Sequence, residues 1–245
     1  MVSVRQYLHL VRAKVLINRQ MIWFIAMIEI VLSVGLILGF GYFIPHIGKI
    51  QALYLTVGAA TQTLTTVGLV MLPQIMSQEK AEGVLEYFLT LPVSREAYLL
   101  AEVTFVAMVT LPGTVFAVVF GAWHYDLSLT VQPVVVLVAV LAVFSLAGVG
   151  VAMAVLSPFE QLTNALTQLI IFYVLLFSPV MMPKQQLPAA LQHAATFLPT
   201  TYAADAMRAA LTDLPGTDLV RSMAVLAGFC IVSLGLSAAT IRRRG

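Results

Sequence analysis

Charge is scarce in this chain. Of 245 residues only 13 are Lys or Arg and 11 are Asp or Glu, whereas 60% are hydrophobic. With a mean hydropathy of +0.97, it carries more apolar surface than a soluble core of this length can hide, which excludes a water-soluble globular domain and leaves an integral membrane protein. The single cysteine, Cys230, excludes an internal disulfide and reads as packing. No G-x-x-x-x-G-K-[ST] occurs: Gly48-Lys49 has Gly41 at the wrong spacing before it and no Ser or Thr after it, so the chain cannot hold ATP in a P-loop. His9, His46, His124 and His193 are scattered, and neither HExxH nor paired cysteines are present, so no metal site is expected. A G-x-S-x-G elbow, facing aspartates and a Ser-His pair are missing as well. No catalytic residue and no cofactor are expected in the chain, and the net charge of +2 gives no sign of a nucleic-acid partner. Transport, scaffolding and sensing remain.

What is present divides at its polar and proline-rich breaks into six candidate membrane spans: about Met21 to Ile44, Gln51 to Met76, Ala97 to Phe120, Pro133 to Leu156, Leu162 to Val180 and Asp218 to Ile241. The expected fold is an all-α integral membrane protein, one transmembrane domain over 1–245, with six transmembrane helices. The first apolar run starts only at Met21 and has no convincing cleavage site, so it is expected to be a retained signal anchor. An even number of spans puts both ends on one side. Arg5, Arg12, Lys14, Arg19, Lys80, Arg95, Arg242, Arg243 and Arg244 fall on the side of the termini and the loop after span two, against Lys49, Lys184, Arg208 and Arg221 on the other. Both termini and that loop are therefore expected in the cytoplasm, with the protein in the cytoplasmic membrane.

Residues 1–20 carry Val4, Leu8, Val11 and Val15 at helical spacing, with Arg5, Arg12 and Arg19 on another stripe, which predicts an interfacial amphipathic helix in contact with membrane lipid; a plain basic leader is the alternative. In the first span Glu29 sits about 10 Å below the apolar boundary. It is either a substrate residue, or a protonated or hydrogen-bonded structural acid, and the second span offers partners in Thr61, Gln62, Thr63, Thr65 and Thr66. Gly35 and Gly39 form a single GxxxG, and Pro73 and Pro112-Gly113 predict kinks. Ser157-Pro158-Phe159-Glu160 has the form of a capping box, after which Gln161, Asn164 and Gln168 share one face of the fifth helix, expected to meet protein or a wet cavity. Glu29, Gln62, Thr66, Asn164 and Gln168 make a possible substrate path. Residues 181–217 are broken by prolines and too polar to span. They are expected to form a re-entrant segment on the outer side, with two short helices over Ala189 to Phe197 and Thr200 to Leu211.

The densest charge lies at 77–95, SQEKAEGVLEYFLTLPVSR. If Ser77 to Leu91 is one helix, Glu79, Glu82 and Glu86 share an acidic face, with Leu85, Phe88 and Leu89 on another. Pro92 stops it and Ser94 caps the next helix. An ordinary solvated loop is the plain alternative.

This stretch resembles the ABC-2 type transporter permeases, whose first cytoplasmic loop often carries E-x-x-x-G-x-L-E-x-L-L-x-x-P-V-S-R. The match runs through Glu79, Gly83, Leu85, Glu86, Phe88, Leu89, Pro92, Val93, Ser94 and Arg95. A second phrase is Ser178-Pro179-Val180, Leu187-Pro188, Leu198-Pro199-Thr200-Thr201-Tyr202 and Arg208. Departures are Val84 where the family more often has Thr, and Ala101-Glu102 where Gly-Lys is common. The resemblance implies that 77–95 is a coupling helix docking on a separate P-loop ABC ATPase subunit, through Glu79, Glu82, Gly83, Leu85, Glu86, Phe88 and Arg95. ATP and Mg would then sit on that partner. It further implies a second permease copy, identical or related, and export of an amphiphile such as a drug, a lipid or a lipid-linked saccharide. An ATP-independent secondary transporter or channel built on Glu29, and a non-transporting membrane anchor, are the competing readings.

Overall fold

Every apolar run reads as helix, and every regular element among the described residues is helical. The structure is a computed structural model and describes residues 4–43, 47–84, 94–177, 180–181, 188–212 and 218–243. Helix α1 (Val4–Ile17) passes through Asn18 into α2 (Arg19–Phe43). Then come α3 (Lys49–Thr65), a π-helical segment (Thr66–Met71) and α4 (Leu72–Ala81), followed by α5 (Arg95–His124), α6 (Val134–Leu156) and α7 (Glu160–Phe177). Two short helices, α8 (Ala189–Ala195) and α9 (Pro199–Leu211), precede the last, α10 (Leu219–Arg243).

Five helices among the described residues are long and apolar enough to cross a membrane: Arg19–Phe43, Lys49–Ala81, Ala97–His124, Val134–Leu156 and Leu219–Ser237. The expected fifth run is helical as α7, but its first half carries Glu160, Gln161, Asn164 and Gln168 and it is not one of the five. The second span is a single 33-residue rod and the centre of the molecule, 89% buried along its apolar window against 22% for α2 and 17% for α10. Around it, α5 packs on α1, α2 and α3, α6 packs on the π segment, α4 and α10, and α7 lies along α4 and the π segment. Leu64, Leu69 and Leu72 from this rod, Val103 and Val109 from α5, and Val138 and Leu146 from α6 are among the fully buried apolar residues that hold it together.

The kink expected at Pro73 takes a specific form. Proline has no N–H to close the helix on the carbonyl four residues back. The backbone relaxes one turn earlier into wider hydrogen bonding, with the Leu72 N–H donating to Val67 O, five residues behind it. The widened turn is held against α6 at a close backbone approach. A Cβ on Gly150 would run into Gly68 O and the Pro73 ring, and a Cβ on Gly68 would meet Leu146. Pro112, by contrast, is absorbed inside a continuous α5.

Local chemistry sets the remaining boundaries. Ser94 caps α5 as expected, accepting from the Ala97 N–H at 3.4 Å. The expected capping box at Ser157 does not form: Ser157 ends α6, and α7 begins at Glu160 rather than at Pro158. Lys80 instead donates to Ser157 O at 2.5 Å, setting a cation at the carbonyl end of α6. Helix α9 is buried against α3, α6 and α10. At its start Thr201 donates to Ala195 O (2.7 Å) and Tyr202 to Thr196 O (3.0 Å), tying down the end of α8. At its end, the carbonyls of Ala210 and Leu211 accept from Gln132 and Thr130 of the α5–α6 connection, at 3.0 and 3.1 Å.

Candidate functional site

Beside the π segment lies a cavity of about 170 Å³ lined by Glu29, Leu32 and Leu36 of α2, Gln62 and Thr63 of α3, Thr66, and Ile171 of α7. Three of the five predicted path residues, Glu29, Gln62 and Thr66, meet here. The threonines around them have spent their hydroxyls on the backbone, as residues of this type do inside helices. Thr61 donates to Val57 O (2.9 Å), Thr65 to Thr61 O (2.9 Å) and Thr63 to Ala60 O (2.7 Å), with the Thr63 and Thr114 hydroxyls 2.9 Å apart. Glu29, the least exposed acid among the described residues, is only 1% exposed, and neither of its carboxylate oxygens has a hydrogen-bond partner among them. The polar second span offers it no bond. Its carboxylate rests instead in the notch that Gly113 leaves in α5, space a Cβ would fill. The other two path residues lie apart. Asn164 lines a separate cleft with Gln74, Gln78 and Glu160, and Gln168 is exposed. The face of α7 that meets the second span is one position away from the predicted stripe: Thr167 accepts from Gln74 (2.9 Å) and Thr163 from Ser77 (3.0 Å).

A second cluster sits where α1, α4 and α5 converge. The Lys14 ammonium lies 3.0 Å from Glu79 Oε1 and also pairs with Glu102. It stands 5.1 Å from the centroid of the Tyr98 ring, whose hydroxyl donates to Glu79 Oε2 at 2.7 Å. Lys14 is 7% and Glu102 2% exposed, so one ammonium neutralises two carboxylates with little water to share the task. Nearby, the hydroxyls of Tyr7 on α1 and Thr104 on α5 are 2.8 Å apart. Tyr7, Val11 and Lys14 thus form the packed face of α1. Leu8, from the predicted apolar stripe, is turned outward at 58% exposure.

An unbroken helix from Ser77 to Leu91 does not form. The second span runs on through Ser77, Glu79 and Lys80 to end at Ala81, and Gly83 follows in the left-handed region (φ +76°), a conformation glycine adopts without steric cost. The expected acidic face is split accordingly. Glu79 is drawn inward to Lys14, while Glu82 is exposed, accepting from Gln78 at 2.8 Å. Leu85, Glu86 and Phe88 lie outside the described residues, and Arg95 is the first residue of α5.

At the far end of the second span, Arg208 of α9 is 2% exposed. It donates to Val180 O (2.6 Å), pairs with Asp205 (2.6 Å) and lies 4.5 Å from the Tyr54 ring centroid. Burial pulls its pKa below the ordinary value, while Asp205 pushes it back up. The described residues bring no three His, Cys, Asp or Glu side chains together as a metal site would need.

With every described element helical, residues 5–212 match the ABC-2 type transporter family. The chain belongs to that family. It is also similar to Nodulation protein J of Rhizobium leguminosarum bv. trifolii, 25% identical over 213 residues, which are 86% of this chain and 81% of that one. In this ABC-2 permease, the Lys14 cluster was the part that motif reading missed. One signal for it existed: Glu102 stands out as an acid at the mouth of the third span.

Proposed function

We propose that this permease is the membrane subunit of an ATP-driven exporter that moves an amphiphile across the cytoplasmic membrane, with ATP and Mg held by a separate P-loop ATPase and no catalytic step in this chain. In this reading α7 is the fifth of six spans, both termini are cytoplasmic, α1 lies at the inner interface and α8 and α9 cap the outer end of the path. Two permease copies, identical or related, complete the path. Residues 77–95 dock on the ATPase. The observation that carries the reading is the Lys14 cluster. Its partners Glu79 and Tyr98 with Glu102 bracket that loop from both sides, so a push on the loop moves α1, α4 and α5 as one body. Because α4 continues through the π segment into α3, the same displacement reaches the cavity at Thr66 and Gln62. The cavity supports an amphiphile, since Leu32, Leu36 and Ile171 offer apolar wall and Glu29, Gln62 and Thr66 offer polar contacts.

The test is reconstitution with the ATPase subunit. Glu82→Lys reverses an exposed charge at the loop without touching the Lys14 cluster. Export is expected to fall at least about tenfold, the scale of one lost interfacial charge pair, while membrane insertion is unchanged. Export by Glu82→Lys at the parent rate would remove the docking role. Transport by the parent on an ion gradient without ATP would favour the secondary-transporter reading, in which Glu29 carries the coupling ion.

A further inference from the structure

Resting on that reading of the cavity as the substrate path, we propose that its ligand is a primary ammonium on an apolar body, with Glu29 as the group that recognises it. Glu29 makes no hydrogen bond and no ion pair with any described residue, although it is almost fully buried. An acid in such a place is either held neutral by its own proton or matched by a partner charge, and the described residues bring no Lys, Arg or His to it. The side chains of Gln62 and Thr66 likewise have no hydrogen bond among the described residues, unlike Thr61, Thr63 and Thr65 beside them. A primary ammonium has three N–H donors. Glu29, Gln62 and Thr66 line one cavity, and once the acid turns out of its notch its carboxylate, the amide carbonyl and the hydroxyl supply three acceptors, of which a hydroxyl head would answer only one. Leu32, Leu36 and Ile171 then receive the first methylenes. The cavity's volume of about 170 Å³ equals roughly five or six water volumes, enough for a head and a short stem, with the tail along the exposed flank of α2. The carboxylate oxygens are now shielded in the Gly113 notch. Binding draws them out toward the ammonium, which exchanges an unpaired buried acid for a paired one.

Equilibrium binding of radiolabelled dodecylamine to the full-length permease in lipid nanodiscs, with empty nanodiscs subtracted, tests this. Saturable binding is expected, with dodecyltrimethylammonium, which has no N–H, and dodecanol, which has no charge, each competing at least about tenfold less well than unlabelled dodecylamine. Glu29→Gln should weaken binding about tenfold or more, and Thr66→Val by a few-fold. Equal competition by dodecanol or by the quaternary cation, or parent-like binding by Glu29→Gln, would overturn the proposal. Should Glu29→Gln not elute as a monodisperse species, the ranking of the three ligands on the parent decides alone. No ATPase is present, so failure here leaves ATP-coupled export standing, and failure of export in proteoliposomes leaves amine binding standing.

Discussion

Lys14 holds two carboxylates on one ammonium, and the two are not equivalent. Glu79 has Tyr98 as a second donor, whereas Glu102 depends on Lys14 for its charge partner. Replacing Lys14 with Met should therefore destabilise the fold by about 3–5 kcal/mol, the cost of breaking a buried pair from one side. Adding Glu102→Gln should restore most of that loss, because the double variant no longer buries the dependent charge. Thermal unfolding in detergent gives the comparison, and Lys14→Met melting at the parent temperature would show that the cluster carries no stability. At this scale the chain was half legible. Glu29, Gln62 and Thr66 were readable as polar residues in apolar runs, because a rare polar side chain in a span marks itself. Lys14 was not, because basic residues in a leader before a first span are ordinary and its burial depends on α4 and α5 arriving from far along the chain.

Helices were read within a few residues from apolar runs, since a span must satisfy its backbone internally and hydropathy records that directly. The failures lie at register and continuity. The Asn164 and Gln168 stripe was one position away from the contact face of α7, where Thr163 and Thr167 meet Ser77 and Gln74. Threonine hydrogen bonds across helices look the same in sequence as threonine bonded to its own backbone. The rod from Lys49 to Ala81 hides its π segment for a related reason: Pro73 demands a local adjustment but does not say which. The close approach of Gly150 to Gly68 gives this element its test. Gly150→Val places a branched side chain against a backbone carbonyl, and a loss of about 1–3 kcal/mol or more is expected in the same unfolding assay. A variant as stable as the parent would mean that α6 and the π segment can separate freely.

Across the whole molecule, α2 and α10 leave most of their apolar surface uncovered within one chain, and Gly35, Gly39, Gly228 and Gly235 have nothing within 4 Å of the position of a Cβ. The sidedness argued from Lys and Arg has a direct measurement, because Gln78 and His124 are exposed at opposite ends of long helices. In a Cys230→Ala background, cysteine replacing His124 should react with an impermeant thiol reagent added to intact cells, and cysteine replacing Gln78 should not; the reverse pattern inverts the topology. Between those ends runs the rod with its π segment. One surplus residue in a helix is a stored fraction of a turn, equal to about 100° of rotation and 1.5 Å of length at α-helical geometry. Were that surplus passed along the rod, α4 would turn like a key, carrying Glu79 away from Lys14 at one end while re-aiming Thr66 at the cavity.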